Sequence, residues 1–170
     1  MERGYRGYKG GTTQTYKKLY GYKNLLAWQV ADDLATCVHD VVSSFKPRYF
    51  KLAEQMLSAV ISVKANIAEG YCRNALGDYI RFSEIARGSL GELGSQIQDC
   101  ERWKVITGNE LEQLLRLYRD ATWLLEQLIK GLRAKRQEAS WDRSMGVKEE
   151  ETSYIATDAD TPFTLPDELT

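Results

Sequence analysis

The stretch LEQLLRLYRDATWLLEQLIKGL, residues 111–132, has the clearest helical pattern in the chain. Its apolar residues return at alternating steps of three and four, as one buried face of an α-helix requires. Just upstream, Thr107 and Glu110 have the spacing of a capping box, in which each side chain binds a free amide of the first turn. We therefore predict a long helix that begins near Thr107. The predicted buried face consists of Leu111, Leu114, Tyr118, Ala121, Leu125, Leu128 and Leu132.

Three earlier segments repeat this periodicity. The first lies between Asn24, a suitable N-cap residue, and Pro47, which ends a helix; the second ends near Gly70; the third starts with Asp78 as its N-cap. A chain of 170 residues suits one domain with tails. Four helices with short connectors predict an all-α, up-down-up-down antiparallel four-helix bundle over residues 23–136.

Two segments outside this bundle carry opposite charges. Residues 1–22 are rich in Gly and Tyr and lack an apolar pattern, which predicts a disordered arm. Residues 1–23 hold six basic side chains and one acidic one, a net charge of +5, whereas residues 140–170 hold eight acidic and two basic ones, a net charge of −6. We therefore predict a disordered acidic tail over residues 137–170. The basic side chains of the arm are Arg3, Arg6, Lys9, Lys17, Lys18 and Lys23.

The basic arm is a candidate for binding nucleic acid. Arg and Lys neutralise phosphates whatever the base sequence, and Tyr rings stack on unpaired bases. Residues 3–8, RGYRGY, supply both kinds of side chain. The alternative interpretation is that both tails serve only solubility, because short basic segments also occur on proteins that bind no nucleic acid.

The sequence offers little that a metal site or a catalytic centre requires. His39 is the one histidine, and it lacks the Glu-x-x-His spacing of bundle metal sites. The three cysteines lie far apart, so neither a disulfide framework nor a zinc site is predicted. No segment has the pattern of a membrane span or a signal peptide. We expect a soluble, cytoplasmic protein without cofactor, metal or catalytic residues.

Polar side chains near the predicted apolar faces indicate a network between the second and third helices. Asn66, Glu69 and Arg73 can share one face of the second helix, and Ser89 and Glu92 can share one face of the third. Polar groups in such positions need hydrogen bonds, so we predict a network that fixes the helix register. The alternative is a metal-dependent hydrolase or nuclease that uses Glu69 and Glu92.

Two further patterns concern helix packing. Gly88, Gly91 and Gly94 lie at steps of three within the third helical pattern, which predicts close approach of another helix rather than a phosphate-binding loop. In the fourth helix several apolar residues lie off the main face, and this surplus apolar surface predicts self-association. The predicted oligomer interface contains Leu117, Trp123 and Leu124.

Three motifs occur in order: YKNLLAWQVA at residues 22–31, NIAEG at residues 66–70 followed by Arg73, and ARGSLGEL at residues 86–93. They resemble the bacterial four-helix-bundle proteins named for open reading frames in intervening sequences of large-subunit ribosomal RNA genes. The resemblance covers about residues 22–132. It implies a helical bundle that assembles as a ring, typically a homopentamer, and it implies no enzyme.

A related branch of that family acts as accessory proteins of diversity-generating retroelements, which bind a reverse transcriptase and its template RNA. The resemblance therefore implies RNA and a reverse transcriptase as partners. Relatives usually carry a basic pair before the alanine of the second helix, whereas this chain has Leu57, Ser58 and Ala59. We expect any RNA contact made by that pair to be absent here, and the basic arm to replace it.

These observations lead to one main hypothesis and one alternative. The main hypothesis is a non-enzymatic oligomeric accessory protein that binds nucleic acid, RNA before DNA, and/or a reverse transcriptase in a ribonucleoprotein complex. A ring would multiply the weak basic arms and raise affinity through avidity. The alternative is a protein-only scaffold or adaptor, in which surface apolar residues and the acidic tail bind a protein partner.

Overall fold

The computed structural model describes residues 21–73 and 75–138, and this part of the chain contains four α-helices and no strand. Each helix packs against the preceding one, and the last also packs against the first, so the helices close into a bundle. The predicted all-α four-helix bundle is confirmed. The helices are α1, Leu26–Ser43; α2, Phe50–Cys72; α3, Leu76–Arg102; and α4, Gly108–Gln137.

The short joints between helices divide the bundle into two ends. α1 joins α2 through residues 44–49, and α3 joins α4 through residues 103–107, so both joints lie at one end, here called the connector end. The start of α1, the joint between α2 and α3, and the end of α4 lie at the opposite end, here called the arm end because residues 1–20 precede it. At 1.5 Å per residue, the 27 residues of α3 separate the two ends by about 40 Å.

The helix starts differ from the sequence predictions. Asn24 lies in a 3₁₀ turn before α1, and Leu25 occupies the N-cap position instead. Asp78 lies in the first turn of α3, where the helix dipole favours a carboxylate, rather than at the N-cap. Thr107 is the N-cap of α4, but its side chain makes no capping hydrogen bond. The next residue, Gly108, has a φ of 62°, and such left-handed geometry departs from the regular first turn of a capping box.

The core is a column of apolar side chains along the bundle axis. α4 contributes positions that its periodicity predicts, including Leu114, Leu125 and Leu128, which are almost completely buried. Between α2 and α3, the sulfur atoms of Met56 and Cys100 lie 3.6 Å apart. Full burial of a leucine or methionine side chain stabilises a fold by about 1.5–3 kcal/mol, so this column is a main source of stability.

The apolar side chains off the main face of α4 are covered within the chain. Leu117 is 4% exposed and Leu124 is 8% exposed, and Trp123 packs partly buried against the core. α4 packs against both α1 and α3, so its buried surface is wider than one narrow face. The reason for assigning Leu117 and Leu124 to an interface between copies, that they lack cover, is therefore wrong.

The glycines of α3 that lie at steps of three, Gly88, Gly91 and Gly94, differ in their surroundings. A Cβ atom added at Gly94 would overlap the hydroxyl and ring of Tyr118, so α3 and α4 approach closely there, as predicted. Gly88 and Gly91 lie on the exposed side of α3, and no described residue outside the adjacent turns of α3 lies within 4 Å of an added Cβ atom. The prediction of a close approach is wrong for these two positions because that side of α3 faces no other helix of the described chain.

The contact at Gly70 predicts opposite effects for two glycine substitutions. A Cβ atom added at Gly70 would lie 2.9 Å from a ring carbon of Tyr79 and 3.2 Å from the Tyr79 carbonyl oxygen. Because relieving this contact requires α3 to shift, Gly70→Ala should lower the free energy of unfolding by about 1–3 kcal/mol. Gly88→Ala is the matched control and should raise it by about 1 kcal/mol through helix propensity. Urea denaturation measures both changes. An unchanged free energy of unfolding in Gly70→Ala would contradict the close contact at Gly70.

The three cysteines should differ in reactivity because they differ in burial. Cys72 is exposed, whereas burial raises the pKa of Cys37 to about 11 and that of Cys100 to about 11. The thiolate is the reactive form, and near neutral pH these two buried thiols stay protonated. We expect the native protein to react with a thiol-specific disulfide reagent at Cys72 first, and at all three sites in urea. Cys72→Ser should remove the fast reaction. A second thiol that reacts rapidly in the folded protein would contradict the predicted difference in burial.

Candidate functional site

A polar seam joins α2 to α3. The side-chain amide of Asn66 donates to the Ser62 carbonyl oxygen at 2.8 Å and to the Ser62 hydroxyl at 3.1 Å, one helical turn earlier. The Ser62 hydroxyl in turn lies 2.8 Å from the Ser89 hydroxyl of α3. The structure therefore links Asn66 to Ser89, but the link passes through Ser62.

Glu69 and Arg73 form a separate pair at the end of α2. The Arg73 guanidinium lies 2.5 Å from the Glu69 carboxylate, and about half of each side chain is exposed. The hydrogen bond to Glu69 raises the pKa of Arg73. The guanidinium groups of Arg73 and Arg81 lie 5.1 Å and 5.3 Å from the ring centroid of Phe82. The pair thus ties the end of α2 to α3 through a ring contact, and it is distinct from the seam.

Glu92 also lies outside the seam. Its carboxylate accepts a hydrogen bond at 3.4 Å from Nε2 of Gln96, one turn further along α3. Acidic side chains at exposed positions find partners four residues away on their own helix, and for this reason the predicted single network does not form. Its five members lie in three separate groups: Asn66 with Ser89, Glu69 with Arg73, and Glu92 with Gln96, which is not one of the five.

The two acids of the hydrolase hypothesis are not brought together. Gly70, which follows Glu69, lies against Tyr79 and Phe82 of α3. Glu92 is ten residues beyond Phe82, which places it about 15 Å further along the bundle axis. Carboxylates that act on the same bond lie roughly 5–9.5 Å apart in the well-known glycosidase pairs, so this geometry does not support a shared catalytic role.

His39 lies on the surface of α1. Its side chain is 69% exposed, and its Nδ1 atom lies 3.2 Å from a carboxylate oxygen of Asp40. Within residues 21–73 and 75–138, no group of three or more His, Cys, Asp or Glu side chains is arranged to hold a metal ion.

The arm end carries a cluster of basic side chains on α4, here called the α4 basic cluster. No acidic residue occurs from residue 127 to residue 137. Arg133 binds Glu84 of α3 at 2.5 Å, whereas Lys130 and Arg136 are exposed, and no described acidic side chain lies within ion-pairing distance of them. An open groove of about 470 Å³ runs along this part of α4. The cluster consists of Lys130, Arg133, Lys135 and Arg136.

The basic arm joins the bundle at the same end as this cluster. Lys23 lies in the 3₁₀ turn before α1, and its carbonyl oxygen accepts a 2.8 Å hydrogen bond from Nε2 of Gln29. A Cβ atom added at Gly21 would lie 3.6 Å from the ring of Tyr71, near the end of α2. The other predicted nucleic-acid-binding residues lie outside the described residues: Arg3, Arg6, Lys9, Lys17 and Lys18.

Two features of these surfaces were not among the sequence predictions. Ser62 completes the seam, and the available signal was its position four residues before Asn66, since residues four apart share a helix face. The second feature is a pair of exposed rings at the connector end, Phe50 at 64% and Trp103 at 52% exposure. Phe50 is the first residue of α2, and no pattern in the sequence indicates that its ring is exposed.

The fold and these surfaces define a four-helix-bundle protein with polar and charged groups on its faces and ends. In the described part of the chain, no helix is long and apolar enough to cross a membrane. The chain belongs to the 23S rRNA-intervening sequence protein family, whose model matches residues 23–127. The family expected from the three sequence motifs is confirmed. Its name refers to ribosomal RNA and describes no enzymatic activity.

A solved structure has a similar fold. The chain is 20% identical to a protein of the S23 ribosomal protein family from Bacteroides thetaiotaomicron, whose function is unknown. The similarity covers 62% of this chain and 99% of that chain, with a TM-score of 0.57. A search of curated proteins finds no match. The structural likeness therefore shows the fold, and it does not assign a function.

The seam predicts that Ser62 and Ser89 are energetically coupled. Each alanine substitution should lower the free energy of unfolding by about 0.5–1.5 kcal/mol, because the remaining half-buried hydroxyl loses one of its hydrogen-bond partners. The double variant should lose less free energy of unfolding than the two single variants lose together, with a coupling energy of about 0.5–1 kcal/mol. Urea denaturation of the wild type and the three variants measures this double-mutant cycle. Ser58→Ala, at an exposed serine of α2, is the control and should change stability by less than about 0.5 kcal/mol. Strictly additive effects would contradict the hydrogen bond.

Proposed function

We propose that this chain is a non-enzymatic RNA-binding protein that works within a ribonucleoprotein assembly. The observation that carries the proposal is that Lys23, the last basic residue of the N-terminal segment, and the α4 basic cluster lie at the same end of the bundle. RNA carries a phosphate at each nucleotide, and clustered Lys and Arg bind such polyanions without reading the bases. The family name, which refers to ribosomal RNA, supports RNA as the polyanion.

The two basic segments would contribute unequally. Within the α4 basic cluster, Arg133 is already bound to Glu84, which reduces its attraction for phosphate. Lys130 and Arg136 remain available to anions. The arm has a net charge of +5 through residue 23, so most of the phosphate contacts are assigned to it.

Several copies of the chain would act together. The family resemblance implies a ring, with five copies as the expected number, and such a ring would bring several arms onto one RNA. Linked binding events raise the overall affinity without new contacts, because the second event occurs at a high effective concentration. The same resemblance implies a reverse transcriptase as a protein partner, and a cytoplasmic location would suit both partners.

A protein-only scaffold is the second candidate function. Ile61 is 52% exposed on α2 and Ile85 is 41% exposed on α3, and exposed branched apolar side chains suit a protein partner better than a polyanion. Salt separates the two candidates, because phosphate contacts weaken steeply as salt rises whereas apolar contacts do not.

RNA binding should depend on the arm and on salt. For a single strand, each phosphate contact adds about 0.7 to the slope of log K against log salt, so removing five contacts should lower the slope by up to about 3.5. The variant replaces Arg3, Arg6, Lys9, Lys17 and Lys18 by glutamine in the full-length chain. Fluorescence anisotropy of a labelled oligouridylate, recorded over a salt series, measures both proteins.

Substitutions in the acidic tail provide the control for this experiment. Replacing Glu149, Glu150 and Glu151 by glutamine also removes one charge per substitution, but the charges removed are negative. No phosphate-binding cation is lost, so RNA binding should not weaken. Absence of RNA binding by the wild-type protein at low salt would overturn the proposed function and leave the protein-only scaffold.

A further inference from the structure

Two short segments at the connector end combine aromatic and basic side chains. KPRYFK, residues 46–51, lies at the joint of α1 and α2, and RWK, residues 102–104, lies where α3 ends. No acidic residue occurs from residue 41 to 53 or from residue 102 to 109. Because α2 packs against α3, both segments belong to one end of the same helix pair. Each of the two segments therefore combines positive charge with an aromatic ring.

Two rings at this end are exposed. Phe50 is 64% exposed and Trp103 is 52% exposed. The neighbouring Tyr49 is half-buried instead, with its ring centroid 6.4 Å from that of Phe45 and 4.8 Å from the Arg48 guanidinium. Tyr49 thus completes the local packing, and the exposed rings of Phe50 and Trp103 contribute little to the stability of the chain. An exposed aromatic ring flanked in sequence by cations offers a stacking surface for a ligand.

The backbone holds Trp103 beside a strained lysine. The Lys104 amide donates to the Glu101 carbonyl at 3.0 Å, and the Val105 amide donates to the Cys100 carbonyl at 2.8 Å, which is a Schellman motif. The position of Lys104 in this motif is usually glycine because φ is positive, and Lys104 has a φ of 54°. A non-glycine residue in this conformation is unfavourable, and such strain is concentrated at functional sites. The strain therefore supports a role for the Lys104 cation.

The cations of the two segments are available to an anion. Lys46, Lys51, Arg102 and Lys104 are exposed, and no described acidic side chain lies within ion-pairing distance of them. The first turn of α2 contains no acidic residue, and no side chain caps it. The positive end of the α2 dipole therefore adds to the attraction for phosphate.

We infer that the connector end binds an unpaired RNA strand, with bases stacked on Phe50 and Trp103 and phosphates held by the flanking cations. Stacking requires bases that are not paired, so this surface selects single strands, whereas phosphate contacts alone do not. The inference rests on the proposed RNA-binding function but concerns the other end of the bundle, about 40 Å from the arm end. It therefore adds a second RNA contact, which distinguishes single-stranded from double-stranded RNA.

Ring substitutions in the full-length protein test this surface. Phe50→Leu and Trp103→Leu keep an apolar side chain but remove the ring, and each should weaken binding of labelled oligouridylate about 10-fold at fixed salt. Trp103→Tyr keeps a ring and should bind within about twofold of the wild type. Ile61→Ala is the matched control, because Ile61 is 52% exposed like Trp103 but carries no ring. Binding of an RNA duplex should change by less than about twofold in every variant.

Lys104→Gly separates a loss of binding from a loss of folding. Glycine adopts the positive φ without strain, so the thermal midpoint should rise. Loss of the cation should nevertheless weaken single-strand binding and lower its salt slope by about 0.7. A variant that is more stable and binds less tightly cannot owe its weaker binding to unfolding.

The outcomes separate this surface from the arm. Selective loss of single-strand binding in the ring variants, with Ile61→Ala unaffected, supports the connector-end surface. Ring variants that bind like the wild type, together with an arm variant that binds nothing, would overturn this surface and leave the proposed function intact. Equal weakening of single-strand and duplex binding would also overturn it, because stacking would not be involved. A wild-type protein that binds no RNA overturns both proposals.

Discussion

The packing of α2 against α3 is the constraint on which the other features depend. Gly70 lies against Tyr79 near the arm end, and the sulfur atoms of Met56 and Cys100 lie 3.6 Å apart towards the connector end. Two contacts so far apart along one helix pair fix its register, because closely packed side chains do not slide past one another. With this register the Ser62 hydroxyl meets Ser89, and the last residues of α3 lie beside the start of α2.

The helices and much of the core could be predicted from the sequence, because both follow from the spacing of apolar residues along each helix. Tertiary contacts could not be predicted in the same way. Leu117 and Leu124 lie off the main face of α4, and only the presence of two neighbouring helices explains their burial. The helix starts were predicted less accurately. A 3₁₀ turn placed Asn24 before the N-cap of α1, and Thr107 is the N-cap of α4 without the predicted side-chain hydrogen bond, next to the positive φ of Gly108.

The candidate sites were predicted less well than the fold. The polar residues of α2 and α3 were identified correctly as groups that need partners, yet their partners depend on small rotations that the sequence does not show. Ser62, a half-buried serine that the predicted network did not include, connects Asn66 to Ser89. The exposure of Phe50 and Trp103 is also a property of the folded joints, and no spacing in the sequence predicts it.

The short joints and the neighbouring positions of α1 and α4 make the order of the helices cyclic. Each helix has the same two neighbours whichever joint is chosen as the break in the chain. The bundle should therefore be a good scaffold for circular permutation: a linker between residues 138 and 21 would replace one opened joint and leave the neighbour relations unchanged. Opening the α1–α2 joint would then move both chain termini to the opposite end of the molecule and would provide a way to attach labels there.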